Sequence, residues 1–268
     1  MFNYVIILSS DTLKKEFKSK TVVLLFFLTS ALILMAGLML KNSIESGLEL
    51  NLLGGKNIIT MMFSFLNFWG VAISIFFGVG ALRSDFQSNI IHQYLAFPIS
   101  RFQYLMGRLF GAWLLVMIFY GYSYLLTTIT FGLVDKSFLP QVIHLMSLFV
   151  IAFYSFIFLV LTFMISFYLG KLGTFVTMIF TSATISAVQS HFTTLSFTEQ
   201  FTQWSFFKTL GLVIYWIFPH LNFLGELGNY FLVQSELTLK PVFEIPHLIL
   251  STSALVACLY LFIRKRSF

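Results

Sequence analysis

The chain has 268 residues, 58% of them hydrophobic and only 10% charged, and carries a net charge of +6 at neutral pH. A soluble domain needs roughly a quarter charged residues to cover a water-facing surface, so the composition excludes one and points to an integral membrane protein. The single cysteine, Cys258, excludes an intrachain disulfide and a cysteine-built metal site; it lies in an apolar run and reads as a packing residue.

Residues 1–20 read as an amphipathic approach helix. Asp11 and Thr12 are placed to cap its second half, and Leu13, Phe17 and the lysines Lys14, Lys15, Lys18 and Lys20 suit a cytoplasmic membrane surface. Six apolar runs follow, at about 21–40, 59–82, 104–127, 142–169, 172–193 and 246–263. Each is long enough to cross a bilayer as a helix of about 20 residues. The first, preceded by lysines, is too long for a signal-peptide core and reads as retained. The loop 41–58, with Gly47, Gly54 and Gly55, reads as an ordinary external connection.

With the N-terminus inside, Lys14, Lys15, Lys18, Lys20, Arg83, Arg101, Arg108, Lys171, Arg264, Lys265 and Arg266 fall inside. Only Lys41, Lys56, Lys136, Lys208 and Lys240 fall outside. The positive-inside rule then places both termini in the cytoplasm and accounts for the net charge without nucleic acid.

Residues 205–218 are apolar but short, contain Lys208, and end at Pro219. Runs of that length are more often interfacial or re-entrant than spanning. Residues 194–245 therefore read as an extracytoplasmic hairpin of short helices broken at Pro219, with Trp204, Tyr215, Trp216 and Tyr230 as an interfacial aromatic belt. The expected fold is all-α: six transmembrane helices, a cytoplasmic amphipathic helix, and a re-entrant helical hairpin before the last span.

That amphipathic helix is expected at residues 84–97. Ser84, Asp85, Phe86 and Gln87 fit a capping box, with Asp85 in the first turn suiting the helix dipole. Phe86, Ile90, Tyr94 and Phe97 recur at helical spacing; Ile91 and Leu95 widen the stripe, and Gln87, Asn89, His92 and Gln93 fall opposite. Pro98 ends the helix, and Ser100 with Gln103 offers a second capping box that opens the third span. Arg108 sits at the mouth of that span, where its side chain can snorkel to water. Gly107 and Gly111 have the small-xxx-small spacing that lets helices approach, within the chain or between two copies. Gly70, Gly78 and Gly80 thin one side of the second span.

The stretch from residue 83 to 111 resembles the hallmark of the ABC type-2 transporter permeases. Asp85, Leu95, Ala96, Pro98, Ser100, Arg101, Gly107, Arg108 and Gly111 carry the likeness; Ser88 and Asn89 stand where many members have Gly-Thr. The six-span layout with an interrupted outer hairpin is similar as well, and the branch linked to copper-enzyme maturation looks nearest. The resemblance implies that residues 84–95 form a coupling helix seated in a cleft of a separate ATP-binding subunit, with Pro98, Ser100, Arg101 and Arg108 as a rigid elbow. It leaves open which face of that helix meets the partner. It also implies two ATPase copies holding ATP and magnesium, a second permease copy as homodimer or related partner, an extracytoplasmic accessory protein on 194–245, and a bacterial cytoplasmic membrane.

Several chemistries have no residues to carry them. Gly54-Gly55-Lys56-Asn57 and Gly170-Lys171-Leu172-Gly173-Thr174 both fail the P-loop spacing, so ATP hydrolysis is expected on another polypeptide and this chain is not read as an enzyme or as binding a cofactor. His92, His144, His191, His220 and His247 share no ligand spacing, and no metal site is expected. The span interiors hold Asn67 and Gln189 as notable polar groups, read as interhelical hydrogen-bonders. That scarcity of charge argues against a secondary transporter or channel. A membrane scaffold that recruits an ATPase without transporting fits the same residues.

Overall fold

Backbone amides in hydrocarbon find no water, so apolar runs of this length must close their hydrogen bonds within helices. The computed structural model describes residues 2–45, 54–87, 99–134, 142–195, 199, 201–202, 205–233 and 241–265, and it is all-α. The helices are α1 (Phe2–Phe17), α2 (Lys20–Glu45), α3 (Gly54–Gln87), α4 (Arg101–Val134), α5 (Val142–Ser166), α6 (Lys171–Thr193), α7 (Phe206–Ile217), α8 (Leu221–Val233) and α9 (Pro241–Lys265). Six of them, α2 to α6 and α9, are long and apolar enough to cross a membrane. The protein is therefore an integral membrane protein with about six spans.

The spans divide into an inner and an outer set. About half of the apolar window of α3, α4 and α5 is buried inside the chain, against 22% for α2 and for α6 and 28% for α9. The outer helices turn Val23, Leu24, Phe27, Phe180 and Leu250 outward, as a lipid-facing surface should. Gly78 of α3 lets Leu159 and Thr162 of α5 approach so closely that a Cβ there would lie 3.0 Å from both. Gly70 does the same for Tyr120 of α4. Several polar groups inside the bundle are paired between helices: Tyr120 donates to Asn67 Oδ1 at 2.5 Å, Trp69 to Thr29 at 2.9 Å, and Trp113 to the carbonyl of Ala152 at 2.8 Å.

Both α3 and α4 have 34 residues. At 1.5 Å per residue each is about 51 Å long, well beyond a hydrocarbon core of about 30 Å. Their ends project, and the charged residues gather on those projections. Ser100 and Gln103 form the reciprocal cap of α4: Gln103 Oε1 accepts from the Ser100 amide at 2.9 Å, and Ser100 Oγ accepts from the Gln103 amide at 3.2 Å.

In place of the expected hairpin stands the pair α7 and α8, bent by 55° at the break before α8. Ser205 caps α7 by accepting from the Lys208 amide at 3.2 Å. Phe218 is extended (φ −85°, ψ 146°), as the residue before a proline must be, and this ends α7.

Candidate functional site

Charge collects at the end of the bundle where α1 ends, α3 ends, and α4 and α6 begin. Asp85, on the last turn of α3, is fully buried. Burial of a carboxylate carries a desolvation cost. Three donors from other helices offset it. Arg108 Nη2 lies 2.6 Å from Oδ2 and the Tyr104 hydroxyl donates to the same oxygen at 2.8 Å, both from α4. Lys15 Nζ of α1 lies 2.9 Å from Oδ1. Arg108, itself buried, reaches α1 a second time through Asp11 Oδ2 at 3.1 Å and Thr12 Oγ1 at 2.8 Å.

The N-terminal helix can reach these groups because of two glycines. A Cβ on Gly107 would lie 2.5 Å from Leu8 Cβ, and one on Gly111 would lie 2.6 Å from Thr12 Cβ and 2.9 Å from the Ser9 carbonyl. Ser9 Oγ also donates to the Gly107 carbonyl at 3.0 Å. The small-xxx-small face of α4 thus receives α1 of the same chain, not a second copy.

Three further expectations are corrected here. Ser84 and Asp85 do not open a new helix: α3 runs unbroken to Gln87, because Asp85 is held inward by cations and the turn needs no cap. Arg108 does not snorkel, since its side chain is buried and turned to Asp85 inside the protein. Asp11 and Thr12 do not start a second half of the approach helix; α1 is continuous, and Thr12 Oγ1 donates back to the Leu8 carbonyl at 2.8 Å. Gly80 thins its span as expected, and a Cβ there would lie 3.5 Å from the Glu16 carboxylate.

Of the expected coupling residues, Ile90, Ile91, His92, Gln93, Tyr94, Leu95 and Pro98 lie outside the described residues, while Ser84, Phe86 and Gln87 contribute helical backbone to α3. On the far side of that stretch, Arg101 Nη1 donates to the carbonyls of Ile263 and Arg264, both at 3.1 Å. These are carbonyls of the last turn of α9, which have no partner within their own helix.

Beside the node is a cavity of about 610 Å³ walled by Lys15, Glu16, Lys171, Phe76, Val79 and Phe175. Burial raises the Glu16 carboxyl above its usual range, and Lys15 and Lys171 oppose that shift.

At the opposite end Gln189 clasps the break between α7 and α8. Its Nε2 donates to the Pro219 carbonyl at 2.7 Å, and its Oε1 accepts from the Asn222 amide at 3.2 Å. The fold also joins histidines whose sequence spacing gives no hint of it. The His220 and His247 rings stack at 4.0 Å, His220 Nδ1 lies 2.5 Å from Glu244 Oε2 at the start of α9, and His247 Nε2 pairs with the Trp216 carbonyl at 2.9 Å. These contacts tie that break to the last span. Among the described residues no group of three or more His, Cys, Asp or Glu is arranged to hold a metal ion. Tyr215 is buried beside Phe192 and His220, so it leaves the expected aromatic belt, while Trp216 and Tyr230 stay exposed.

Fold and site define a polytopic, all-helical membrane protein with a charged cluster at one end and a bent helix pair at the other. No protein-family model matches the chain, and no curated protein matches it.

Proposed function

We propose that this protein is the membrane-spanning permease subunit of an ATP-driven transporter, with ATP hydrolysis on a separate subunit that docks on residues 84–95. The observation that carries the reading is the anchoring on both sides of the segment 88–98. Before it, Asp85 joins α3 to α1 and α4. After it, Arg101 joins the start of α4 to the end of α9. A force on the intervening segment would reach four helices through buried or capped contacts. Such stiff linkage is what a bistable bundle needs if a partner is to bias it. In this reading the basic end faces the cytoplasm, in accord with the positive-inside rule. The permease acts as a pair, with ATP and magnesium held by the partner.

The test is affinity purification of the tagged chain from its native membrane in mild detergent, read by mass spectrometry and ATPase rate. A stoichiometric P-loop subunit, lost from a Gln87→Ala, His92→Ala, Gln93→Ala variant that still inserts, is expected. Recovery of the chain with no ATPase would overturn the proposal. Transport in vesicles then separates a permease from a scaffold that recruits an ATPase.

A further inference from the structure

A second cavity, of about 530 Å³, opens between α3, α5, α6 and α8, with Ile179, Ala183, Ser186 and Asn229 of its lining exposed. Its size falls in the range of small-molecule pockets. No charged side chain is among the described residues that line it. A ligand charge held there would find no counter-charge among them, so the lining favours an uncharged ligand.

The lining is graded along the bundle axis. Asn67, Ser147, Ser186 and Asn229 gather toward the α7 and α8 end; Val71, Phe158 and Ile179 lie farther along the bundle from it. Along α5 the distance from Ser147 to Phe158 is about 16 Å, and along α6 from Ser186 to Ile179 about 10 Å, at the rise of an α-helix. The gradient has the same direction on α3, α5 and α6, although α6 runs opposite to the other two. Asn67 uses its carbonyl oxygen for Tyr120, which leaves its amide nitrogen toward the cavity, 4.0 Å from where a Gly228 Cβ would lie. Gly225 makes the room: a Cβ there meets nothing within 4 Å.

We infer that this cavity binds an uncharged single-chain amphiphile, drawn from the bilayer, with a hydroxyl or carbonyl head toward the α7 and α8 end and its apolar body between α5 and α6. A two-chain phospholipid is too large for it and brings charge that nothing there answers. The site needs only this chain. That its occupant is also the cargo rests on the permease reading, but its binding does not.

The experiment uses the full chain in nanodiscs, without any ATPase, and a monoacylglycerol bearing a diazirine in its acyl chain. Adducts are mapped by mass spectrometry, with the matching diazirine fatty acid as the charged comparison. Labelling is expected in α5, α6 and α8 around the cavity, suppressed by excess plain monoacylglycerol and at least ten-fold weaker for the fatty acid. Gly225→Leu should cut it at least ten-fold without lowering the unfolding temperature. Ser182→Leu, which fills the cavity from α6, should do the same and guards against misfolding of the first variant. Labelling spread over the lipid-facing surfaces of α2 and α9 and indifferent to both variants would overturn the site. Equal labelling by the fatty acid would overturn its preference for uncharged ligands. Because no ATPase is present, neither result depends on whether the chain couples to one.

Discussion

Arg108 and Asp85 face each other at 2.6 Å, one on the second turn of α4 and the other on the last turn of α3, and both are buried. Neither charge is tolerable there alone. Together they fix how α3 and α4 meet on either side of residues 88–98, and through Lys15, Asp11 and Thr12 they hold the N-terminal helix as well.

Asp85→Asn should destabilise the protein by about 3 kcal/mol, the usual cost of removing one partner from a buried pair. Arg108 retains Asp11, but that carboxylate is half-exposed and cannot replace Asp85. Joint replacement, Asp85→Leu with Arg108→Met, should cost clearly less than the two single changes added. Thermal unfolding in detergent measures all three, and strict additivity would mean the pair is not coupled.

Gly111→Ala should loosen α1 from α4, because its Cβ meets backbone and a β-branched side chain that cannot withdraw. Overpacking of this kind costs about 1–3 kcal/mol. Gly121, on the same helix, has open space at its Cβ position, so Gly121→Ala should stabilise by up to about 1 kcal/mol through helix propensity. A maleimide-accessible cysteine at Ser9 would report the detachment of α1 in the first variant and not in the second.

Arg101→Ala removes the donor from the last carbonyls of α9. The loss should be about 1 kcal/mol, a charged hydrogen bond discounted for partial exposure. Amide exchange should accelerate in the last turn of α9 and not at its start, where Pro241 and Glu244 remain. Unchanged exchange there would show that the carbonyls find other donors.

Glu16 gives a pH signature. Burial raises its folded carboxyl above the unfolded value of 4.5, so folding favours the protonated form. The stabilisation is fully present below that value and is lost as pH rises through the folded one. Glu16→Gln removes this loss: its stability relative to the natural chain should rise with pH above about 4.5 and then level off, as linkage requires. Melting temperatures of both proteins across acid to neutral pH measure it, and parallel curves would contradict a shifted Glu16.

Gln189→Leu should leave the Pro219 carbonyl and the Asn222 amide without their partner at the break between α7 and α8. A buried group left unsatisfied costs about 1–3 kcal/mol. Proteolysis near residue 219 should speed up while the other spans stay protected.

The amino-acid sequence by itself determined the class of protein, the six spans, the break at Pro219 and the cap at Ser100 and Gln103. Each is written locally: in the length of an apolar run, in the conformation a proline imposes on its neighbour, or in two side chains three positions apart. It also placed Asn67 and Gln189 as interhelical hydrogen-bonders, since a lone amide in a span has few other uses. The partners of Asp85 lie on two other helices, so Ser84 to Gln87 read as a helix start when only the local pattern was visible. Gly107 and Gly111 announced a close approach without naming the helix that makes it. His220 and His247 are 27 positions apart and meet only because the break between α7 and α8 packs against the start of α9. Local hydrogen bonding and desolvation are properties of short stretches of chain. Which charges neutralise one another, and where the bundle leaves a cavity, depend on helix packing, and only the tertiary structure decides that.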